Sequence, residues 1–332
     1  MYPCVICGKR TNAFNYGVNC CNACKMFYKR SIIAPTFPTR CKNGGNCSVC
    51  RYCRFQRCLQ AGMNPPGPPI LENPRLPTPD VSLVIQNLDR MNISRETTFL
   101  NFVVAENMNL DVLILSRKPN YLKKPENLQQ NCYSWSEANI NTSIDFVKKF
   151  DVIHELSNQD EVLSFVKQSY LHISLLYTAM GSYQKHREAA EFPGGIDVIS
   201  EEFRSFFEGC PAVLNKIRCP LVEKLRELTI SNEEFLLLSA LIALNPASST
   251  LSDDSRTLIG KHQTIYSSTL LQYCQNNYQQ SGPSRFSALL GVCYTISQLF
   301  EDFKNALAQF QLSLPQLENK KILQDFMDSA TM

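Results

Sequence analysis

Closely paired cysteines near the start of the chain constrain its fold more than any other feature. Ten of the fifteen cysteines lie within the first 58 residues. Two pairs, each with a two-residue gap and thirteen residues apart, comprise Cys4, Cys7, Cys21 and Cys24. Such a gap lets both sulfurs of a pair reach one Zn²⁺ at about 2.3 Å, and two pairs complete a tetrahedron. We therefore predict a structural zinc here, with Cys20 as an alternative ligand to Cys21.

The charge of the chain divides at the same place as its cysteines. Residues 1–63 contain ten Lys and Arg and no Asp or Glu, whereas the remainder has 23 basic and 30 acidic residues. A segment of +10 is thus joined to one of −7, and this asymmetry predicts that the basic end meets a polyanion.

Apolar runs give no indication of export or of a membrane. The first residues contain no apolar core of signal-peptide length, and the longest apolar run, Phe235–Leu244, is about half a membrane span. We expect an intracellular chain without a membrane partner, in which clustered cysteines bind metal more often than they form disulfides.

Proline marks the boundary between two predicted domains. Residues 64–80 hold seven of the eighteen prolines, and such a stretch is typical of a semi-rigid, extended hinge, with an ordered proline-rich loop as the alternative. We predict a zinc domain over 1–63, a hinge over 64–80 and an all-α, multilayer domain over 81–332, where the apolar period changes to about 3.6.

Several helices of the second domain are predicted individually. Phe146, Phe150, Ile153 and Leu156 fall on one face of a helix, and the apolar run 162–177 predicts a helix buried between layers. A turn is expected at 192–195, and Ser231 with Glu234 resembles a capping box. Further helices are predicted over 211–230, 232–244, 252–278 and 282–310, with a short one after Leu317.

Two runs of the cysteine-rich segment carry a family resemblance. The run CNACKMFYKR from Cys21 to Arg30 and the run CRYCRFQRCLQAGM from Cys50 to Met63 resemble the DNA-binding domain of nuclear hormone receptors. The loop CKNGGNC at 41–47 is similar to the nematode branch. This resemblance implies a small Cys4-zinc α domain like that of the glucocorticoid receptor, which binds double-stranded DNA in the nucleus.

The resemblance also implies roles for individual side chains. A helix starting near Asn22 would lie in the major groove. Asn22, Ala23 and Met26 match positions that choose bases, and the implied base-edge and phosphate contacts are Lys25, Lys29, Arg30, Arg51, Arg54 and Arg57. The chemistry agrees, because i, i+4 spacing puts Lys25 and Lys29 on one face and such cations donate to guanine or phosphate. A solvated basic helix that binds nothing is the alternative.

The second zinc site departs from the family spacing. The family pattern is Cys-x5-Cys-x9-Cys-x2-Cys, whereas here about seven residues are absent before the third ligand: Cys41, Cys47, Cys50 and Cys53. The resemblance implies a second Zn²⁺ on these four thiolates. Alternatives are a quartet that recruits Cys58, which otherwise matches a family cysteine that is not a ligand, or a shortened splice form or gene model.

Net charge supports DNA as the partner of this domain. Eight thiolates and two Zn²⁺ contribute −4 to the +10, which leaves about +6. If about five phosphates are neutralised, the logarithm of affinity falls with that of salt concentration at a slope near −4 to −5. Because one module buries modest area, we expect specific binding to need two half-sites or a partner.

The helical domain shows two further resemblances to nuclear hormone receptors. Residues 144–162 are similar, without a gap, to the signature of the ligand-binding domain, and Lys148 takes the place of the lysine that ends the groove-forming helix. The activation-helix pattern is matched near the chain end by Ile322, Leu323, Asp325, Phe326 and Met327.

Lys148 and Asp325 suggest a charge clamp for a coactivator or corepressor helix. The cation would face the negative C-terminus of an amphipathic partner helix and the carboxylate its positive N-terminus, each contributing about 0.3–1 kcal/mol. Leucines of an LxxLL-type partner would fill the groove between them. The alternative is a C-terminal helix that only covers the core.

The remaining expectations concern dimers, ligands and enzymes. Residues 284–300 resemble the start of the dimerisation helix, with a buried helix as the alternative, and a small apolar ligand would lie behind the helix 144–156 unless aromatic side chains fill that space. An enzyme is disfavoured because no GxGxxG, P-loop, HExxH or GxSxG pattern occurs. We therefore predict a ligand-type transcription factor, with a zinc-dependent protein-interaction adaptor as the second hypothesis.

Overall fold

A computed structural model describes residues 2–33, 41, 47, 50–63, 80–247 and 250–313. The chain divides into two compact units, Met1–Pro77 and Thr78–Met332. Apart from Asp80, the predicted hinge lies outside the described residues, so its boundaries stay a prediction. No helix within the described ranges is both long and apolar enough to cross a membrane.

Two short hairpins and two helices form the first unit. Strand β1 (Tyr2–Pro3) pairs with β2 (Arg10–Thr11), and β3 (Phe14–Asn15) pairs with β4 (Val18–Asn19), all antiparallel. Helix α1 spans Asn22–Ile33, and α2 spans Arg51–Gln60.

Local chemistry explains how this small unit closes. The loop between β3 and β4 consists of Tyr16 and Gly17, both with positive φ, as a two-residue type I′ turn requires. On α1, Tyr28 is 1 % exposed, and its hydroxyl donates to the carbonyl of Met63 at 2.5 Å. The Tyr28 ring stacks on Phe55 of α2, with ring centroids 5.7 Å apart. The two helices therefore share a core although the unit is small.

The second unit is almost entirely helical, as predicted. Its helices are α3 (Val81–Asn101), α4 (Leu110–Leu115), α5 (Cys132–Val147), α6 (Val152–Glu155), α7 (Gln159–Gln184), α8 (Glu201–Phe206), α9 (Pro211–Arg218), α10 (Pro220–Leu228), α11 (Asn232–Ala243), α12 (Asp253–Tyr278) and α13 (Gly282–Ser313). A 3₁₀ turn, Gln279–Ser281, joins α12 to α13. Two hairpins pair β5 (Phe102–Val104) with β6 (Tyr121–Lys123) and β7 (Glu191–Phe192) with β8 (Ile196–Asp197).

Helix α7 occupies the interior of the helical unit. It packs against α5, α10, α11 and α13, which agrees with the apolar run predicted to be buried between layers. The aromatic ring of Tyr177 lies 5.4 Å from that of Phe146 on α5 and 5.0 Å from that of Phe235 on α11. Edge-to-face contacts of this kind stabilise the packing of the layers by more than the burial of apolar area alone.

Two predicted helices are each broken into two. The expected helix 144–156 ends at Val147, and the chain tightens into i→i−3 turns in which Lys149 and Phe150 donate to Phe146 and Val147. Helix α6 begins only at Val152. The rings of Phe146 and Phe150 nevertheless pack together, with their centroids 5.5 Å apart. The expected helix 211–230 breaks at Pro220, which has no amide proton with which to continue α9 and instead starts α10.

Other local predictions are confirmed. Both hydrogen bonds of the Ser231–Glu234 capping box are present. The turn at 192–195 forms the β7–β8 hairpin, in which Gly194 and Gly195 take positive φ. The helix predicted after Leu317 lies outside the described residues.

Candidate functional site

The first group of four cysteines brings its sulfurs close together. The Sγ atoms of Cys4, Cys7, Cys21 and Cys24 all lie within 4.8 Å of one another, and those of Cys7 and Cys21 are 3.7 Å apart. Two sulfurs bound to one tetrahedral Zn²⁺ at about 2.3 Å lie about 3.8 Å apart. The four donors therefore have the chemistry and spacing of a closed, structural zinc site.

A turn and a helix start position these sulfurs. The amide of Cys4 donates to the Lys9 carbonyl at 2.8 Å, in a turn that Gly8 completes with a φ of +75°. The other pair brackets the first turn of α1, where the Cys24 amide donates to the Cys21 carbonyl at 2.9 Å. A metal bound here fixes the direction of α1, because Cys24 belongs to that helix.

Cys21 rather than Cys20 completes this group, as the sequence favoured. The Sγ of Cys20 is wholly buried and donates to the Asn15 carbonyl at 3.7 Å. It does not belong to either group of four sulfurs.

The second group of cysteines comes together despite the missing residues. The sulfurs of Cys41, Cys47, Cys50 and Cys53 lie within 4.8 Å of one another, and Cys41 Sγ is 3.7 Å from those of both Cys47 and Cys50. The Cys50 side chain also caps α2 by accepting from the Cys53 amide at 3.3 Å. The two Cys4 groups are consistent with two structural zinc ions.

Cys58 takes no part in either group. It is wholly buried in the core of the first unit, and that burial raises the pKa of its thiol to about 11, opposed by the nearby Arg54. Its sulfur belongs to neither group of four sulfurs, so the structure does not support the substitute quartet considered from the sequence.

Helix α1 presents most of its predicted DNA-contacting residues to solvent. Lys25 is half-buried. The exposed side chains are Asn22, Ala23, Met26, Lys29 and Arg30. The opposite face carries Cys24 and Tyr28 and is buried. The helix is therefore amphipathic, with a zinc-held inner face and a polar and cationic outer face.

The predicted contacts on α2 have a different setting. Arg54 Nη2 donates to Cys24 Sγ at 3.3 Å, and its guanidinium carbon lies 4.4 Å from the centre of the Phe27 ring. Arg57 Nη1 donates to the Ile6 carbonyl at 3.4 Å, whereas Arg51 is exposed. Arg54 thus places positive charge beside a thiolate of the first metal group, a role that the sequence analysis missed.

Lys148, the predicted groove lysine, follows the last residue of α5, and its side chain reaches the C-terminal end of α4. Its Nζ donates to the carbonyls of Leu113 at 3.2 Å and Ser116 at 2.6 Å, where α4 ends. Burial lowers the pKa of Lys148, and the nearby Asp145 opposes that shift. The five residues predicted to form the activation helix, at 322–327, lie outside the described residues.

One cavity of the helical unit is small and apolar. A cavity of about 130 Å³ lies between α5, α7, α10 and α13 and is lined by residues such as Ile140, Leu175 and Leu299. Where α5 meets α6, the ring of Phe150 packs edge to face against those of Phe146 and Tyr266. The small cavity is lined by residues outside the segment 144–156, whereas a larger, open and more polar cleft of about 870 Å³ is lined in part by Asp145, Lys148 and Ile153 of that segment.

Comparisons with known proteins cover both units. Residues 2–65 match the double treble clef zinc finger of C4 type, and residues 118–313 match the ligand-binding domain of nuclear hormone receptors. The Caenorhabditis elegans nuclear hormone receptor family member nhr-167 is 34% identical over 335 residues, with 98% of this chain and 97% of the relative covered. Family members nhr-27 (34% identical, 98% and 92% covered) and nhr-9 (31% identical, 98% and 96% covered) from the same organism are similar over the same extent.

Proposed function

This chain belongs to the nuclear hormone receptor family, and we propose that it reads duplex DNA with the outer face of α1 and recruits coregulators beside Lys148. It is a non-enzymatic transcription factor with a C4 DNA-binding zinc finger and a ligand-binding domain, and these domains imply binding of DNA and a capacity for ligand. We propose further that it acts in the nucleus, and that its partners are duplex DNA and coregulator peptides.

The single observation that supports the DNA interface is the outer face of α1. Lys29 and Arg30 are exposed, and Lys25 lies one turn before Lys29 on a helix that carries the metal ligand Cys24. Lys and Arg donate to guanine edges or to phosphates, and Asn22 can read adenine. A helix held by a structural metal is a rigid element of the size that the major groove admits.

Salt dependence of DNA binding tests this interface. The zinc-loaded full chain is titrated with a mixed-sequence 30-bp duplex at several salt concentrations. Lys29→Ala should reduce the steepness of the log–log slope by about 0.9, since one phosphate contact is lost. Lys261→Ala, which removes an exposed lysine of α12, is the matched control and should leave the slope unchanged. An unchanged slope in Lys29→Ala, or equal binding after chelation, would contradict the proposed interface.

The adaptor hypothesis depended on the shortened second site. The compact second group of sulfurs, within 4.8 Å, favours the receptor instead. One zinc per chain together with no DNA affinity would restore the adaptor.

Coregulator binding is proposed at the surface formed by the end of α5 and by α7. Lys148 already behaves as a cap for carbonyls at a helix C-terminus, which is the chemistry that a bound amphipathic helix requires of it. We propose that Asp325 supplies the acidic end of the clamp. Asp325→Ala should weaken binding of a labelled LxxLL peptide to the full chain about two- to fivefold, and Asp325→Glu should retain it. Equal affinities for all three proteins would remove Asp325 from the site.

A dimer through residues 284–300 is proposed on one exposed face of α13. Leu290 is 39 % and Tyr294 73 % exposed, four residues apart on the same face. Tyr294→Glu should lower the dimer fraction in sedimentation velocity, whereas Gln275→Glu on α12 should not. Identical sedimentation of the wild type and Tyr294→Glu would argue against this face.

The cavity of about 130 Å³ supports a proposal that a ligand bound within it is small and apolar. Ala179 is 2 % exposed and lines this cavity. Ala179→Leu should fill it and abolish a ligand mass that native mass spectrometry detects in the wild type. Retention of that mass would place the ligand elsewhere.

A further inference from the structure

Helix α4 has the apolar pattern of a coregulator motif. Leu110, Leu113 and Ile114 are 3 %, 4 % and 1 % exposed, whereas Val112 between them is 52 % exposed. The sequence of this segment is Leu-x-x-Leu-Ile, which is the LxxLL pattern with an isoleucine at its last position. The three buried side chains form the stripe that such a helix lays into a groove.

This stripe is docked on the surface proposed for coregulators. Helix α4 packs against α7 and α5, and its apolar residues belong to the same core cluster as Val147 of α5 and Phe165 and Val166 of α7. The groove is thus filled by a segment of the chain itself.

Charged groups hold both ends of α4. At its C-terminus, Lys148 Nζ donates to the carbonyls of Leu113 and Ser116, at 3.2 and 2.6 Å. In its first turn, Asp111 pairs with Lys167 of α7 at 2.5 Å. The contact made by Lys148 is the one that a charge clamp makes with a bound partner helix.

The segment that carries α4 is a tethered excursion from a hairpin. Residues 105–120 leave the β5 strand and return to β6, and the base is closed by Asn120. The Asn120 side chain exchanges two hydrogen bonds with the backbone of Glu106, each 2.9 Å long. The backbone carbonyl of Asn120 accepts from the Ala105 amide at 3.0 Å. Because these bonds do not involve α4, the helix can leave its groove while the base of the excursion stays intact.

We propose that α4 is an internal occupant of the coregulator groove, and that an external LxxLL helix binds only by displacing it. The inference rests on the proposed coregulator function and adds an autoinhibitory contact to it. A helix of six residues is marginal by itself in water, so α4 loses its helical structure when it is displaced. The tether keeps the effective concentration of α4 at the groove high, and an external helix must compete against that concentration.

Lys148 cannot separate the internal helix from the external one, because it would contact either. The test therefore changes α4 alone, in the full chain, and measures binding of a fluorescein-labelled 12-residue peptide with one LxxLL motif. Leu113→Ala removes a buried side chain of the internal helix and should raise peptide affinity about tenfold or more. Val112→Thr, an exposed and nearly isosteric change one residue earlier, is the matched control and should leave the affinity unchanged.

Two further measurements keep the test decisive. Hydrogen exchange of residues 110–116 should accelerate in the wild type when the peptide is added, because displaced amides lose their protection. If Leu113→Ala does not fold, as judged by the fluorescence of Trp135, Asp111→Lys replaces it. That exposed change sets two cations against each other at Lys167 and should raise peptide affinity about two- to fivefold.

The possible outcomes separate displacement of α4 from coregulator binding itself. Equal peptide affinity of the wild type and the α4 variants, with unchanged exchange at 110–116, would show that α4 is only a part of the core, and coregulator binding would stand. If no variant bound the peptide at all, the proposed coregulator surface and the internal occupant would both be overturned.

Discussion

The ion pair between Glu234 and Arg285 gives the most demanding stability prediction. The Glu234 side chain is fully buried and that of Arg285 is 14 % exposed, and the pair is bidentate: Nη2 lies 2.5 Å from one carboxylate oxygen and Nε 2.7 Å from the other. Arg285 Nη1 also donates to the Leu228 carbonyl at 2.7 Å, while Glu234 accepts from the Ser231 amide at 3.0 Å. The pair therefore joins α13 to the end of α10 and the start of α11.

We expect Arg285→Met to lower the free energy of unfolding of the helical unit by about 3–5 kcal/mol. This range is typical when one partner of a buried pair is removed, because the other charge remains without compensation. The salt bridges among the described residues give Glu234 no second cation. Burial opposes ionisation of Glu234 and the Arg285 hydrogen bonds favour it, with the net effect that its pKa is lowered. Loss of Arg285 removes the largest favourable contribution and leaves the cost of burial in place.

Urea denaturation of the full chain measures this change. The only tryptophan, Trp135, is in α5 and 5 % exposed, so its fluorescence reports on the helical unit and not on the zinc unit. Arg256→Met is the matched control, because its partner Asp253 is 97 % exposed and the pair contributes about 0–1 kcal/mol. The free energy of unfolding follows from linear extrapolation to zero urea.

A double variant tests whether the two charges are coupled. Glu234→Leu with Arg285→Met leaves no buried charge, although the capping box is lost at about 1 kcal/mol. We expect the double variant to be more stable than Arg285→Met alone. A decrease in the free energy of unfolding of less than about 1 kcal/mol in Arg285→Met would refute the reasoning. So would a decrease in the double variant equal to the sum of the decreases in the single variants Glu234→Leu and Arg285→Met.

Two other perturbations test separate parts of the chain. Hydrogen bonds from the hydroxyls of Ser157 and Ser252 lower the pKa of Glu161 from 4.5 to about 2; its contribution to stability is therefore present above pH 4.5 and lost as the pH falls towards 2, and Glu161→Gln should flatten the fall in stability over that window. A fall as steep as that of the wild type would show that other carboxylates dominate. Cys50→Ser should reduce zinc per chain from two to one by elemental analysis, whereas Cys58→Ser should retain two; a loss of zinc in Cys58→Ser would return it to the ligand set.

The metal groups could be predicted from the sequence because their geometry is mostly local. Two cysteines with a two-residue gap face the same ion in a turn or a first helical turn, whatever the remainder of the chain does. The same locality explains why the capping box at Ser231 was predicted correctly, whereas the start of α1 near Asn22 was implied by the family resemblance. The compact second group was harder to predict, since it depends on how the 41–50 segment closes and not on the gap between Cys50 and Cys53 alone.

Contacts between distant segments escaped prediction for a physical reason. Arg54 lies in a basic run and its sequence context indicates a phosphate contact, yet the long side chain reaches Cys24 and the Phe27 ring on another helix. The break between α5 and α6 was hidden because the apolar spacing from Phe146 to Ile153 continues through it. Periodicity records which residues are buried, whereas tertiary contacts decide whether the backbone between them stays helical.

The contacts of Lys148 could not be predicted from the sequence either, and they determine how tightly an external helix must bind to displace α4. The sequence indicated a cation at the end of a groove, but its partner carbonyls come from Leu113 and Ser116, more than thirty residues earlier. If the tether holds α4 at an effective concentration of about 1 mM, a partner helix of equal intrinsic affinity must approach that concentration to occupy half the sites. Contacts that only the external helix makes must supply the advantage. A carboxylate at Asp325 facing its N-terminus adds about 0.3–1 kcal/mol, or about two- to fivefold, so further contacts along the partner helix are required before a coregulator present at micromolar concentration displaces α4.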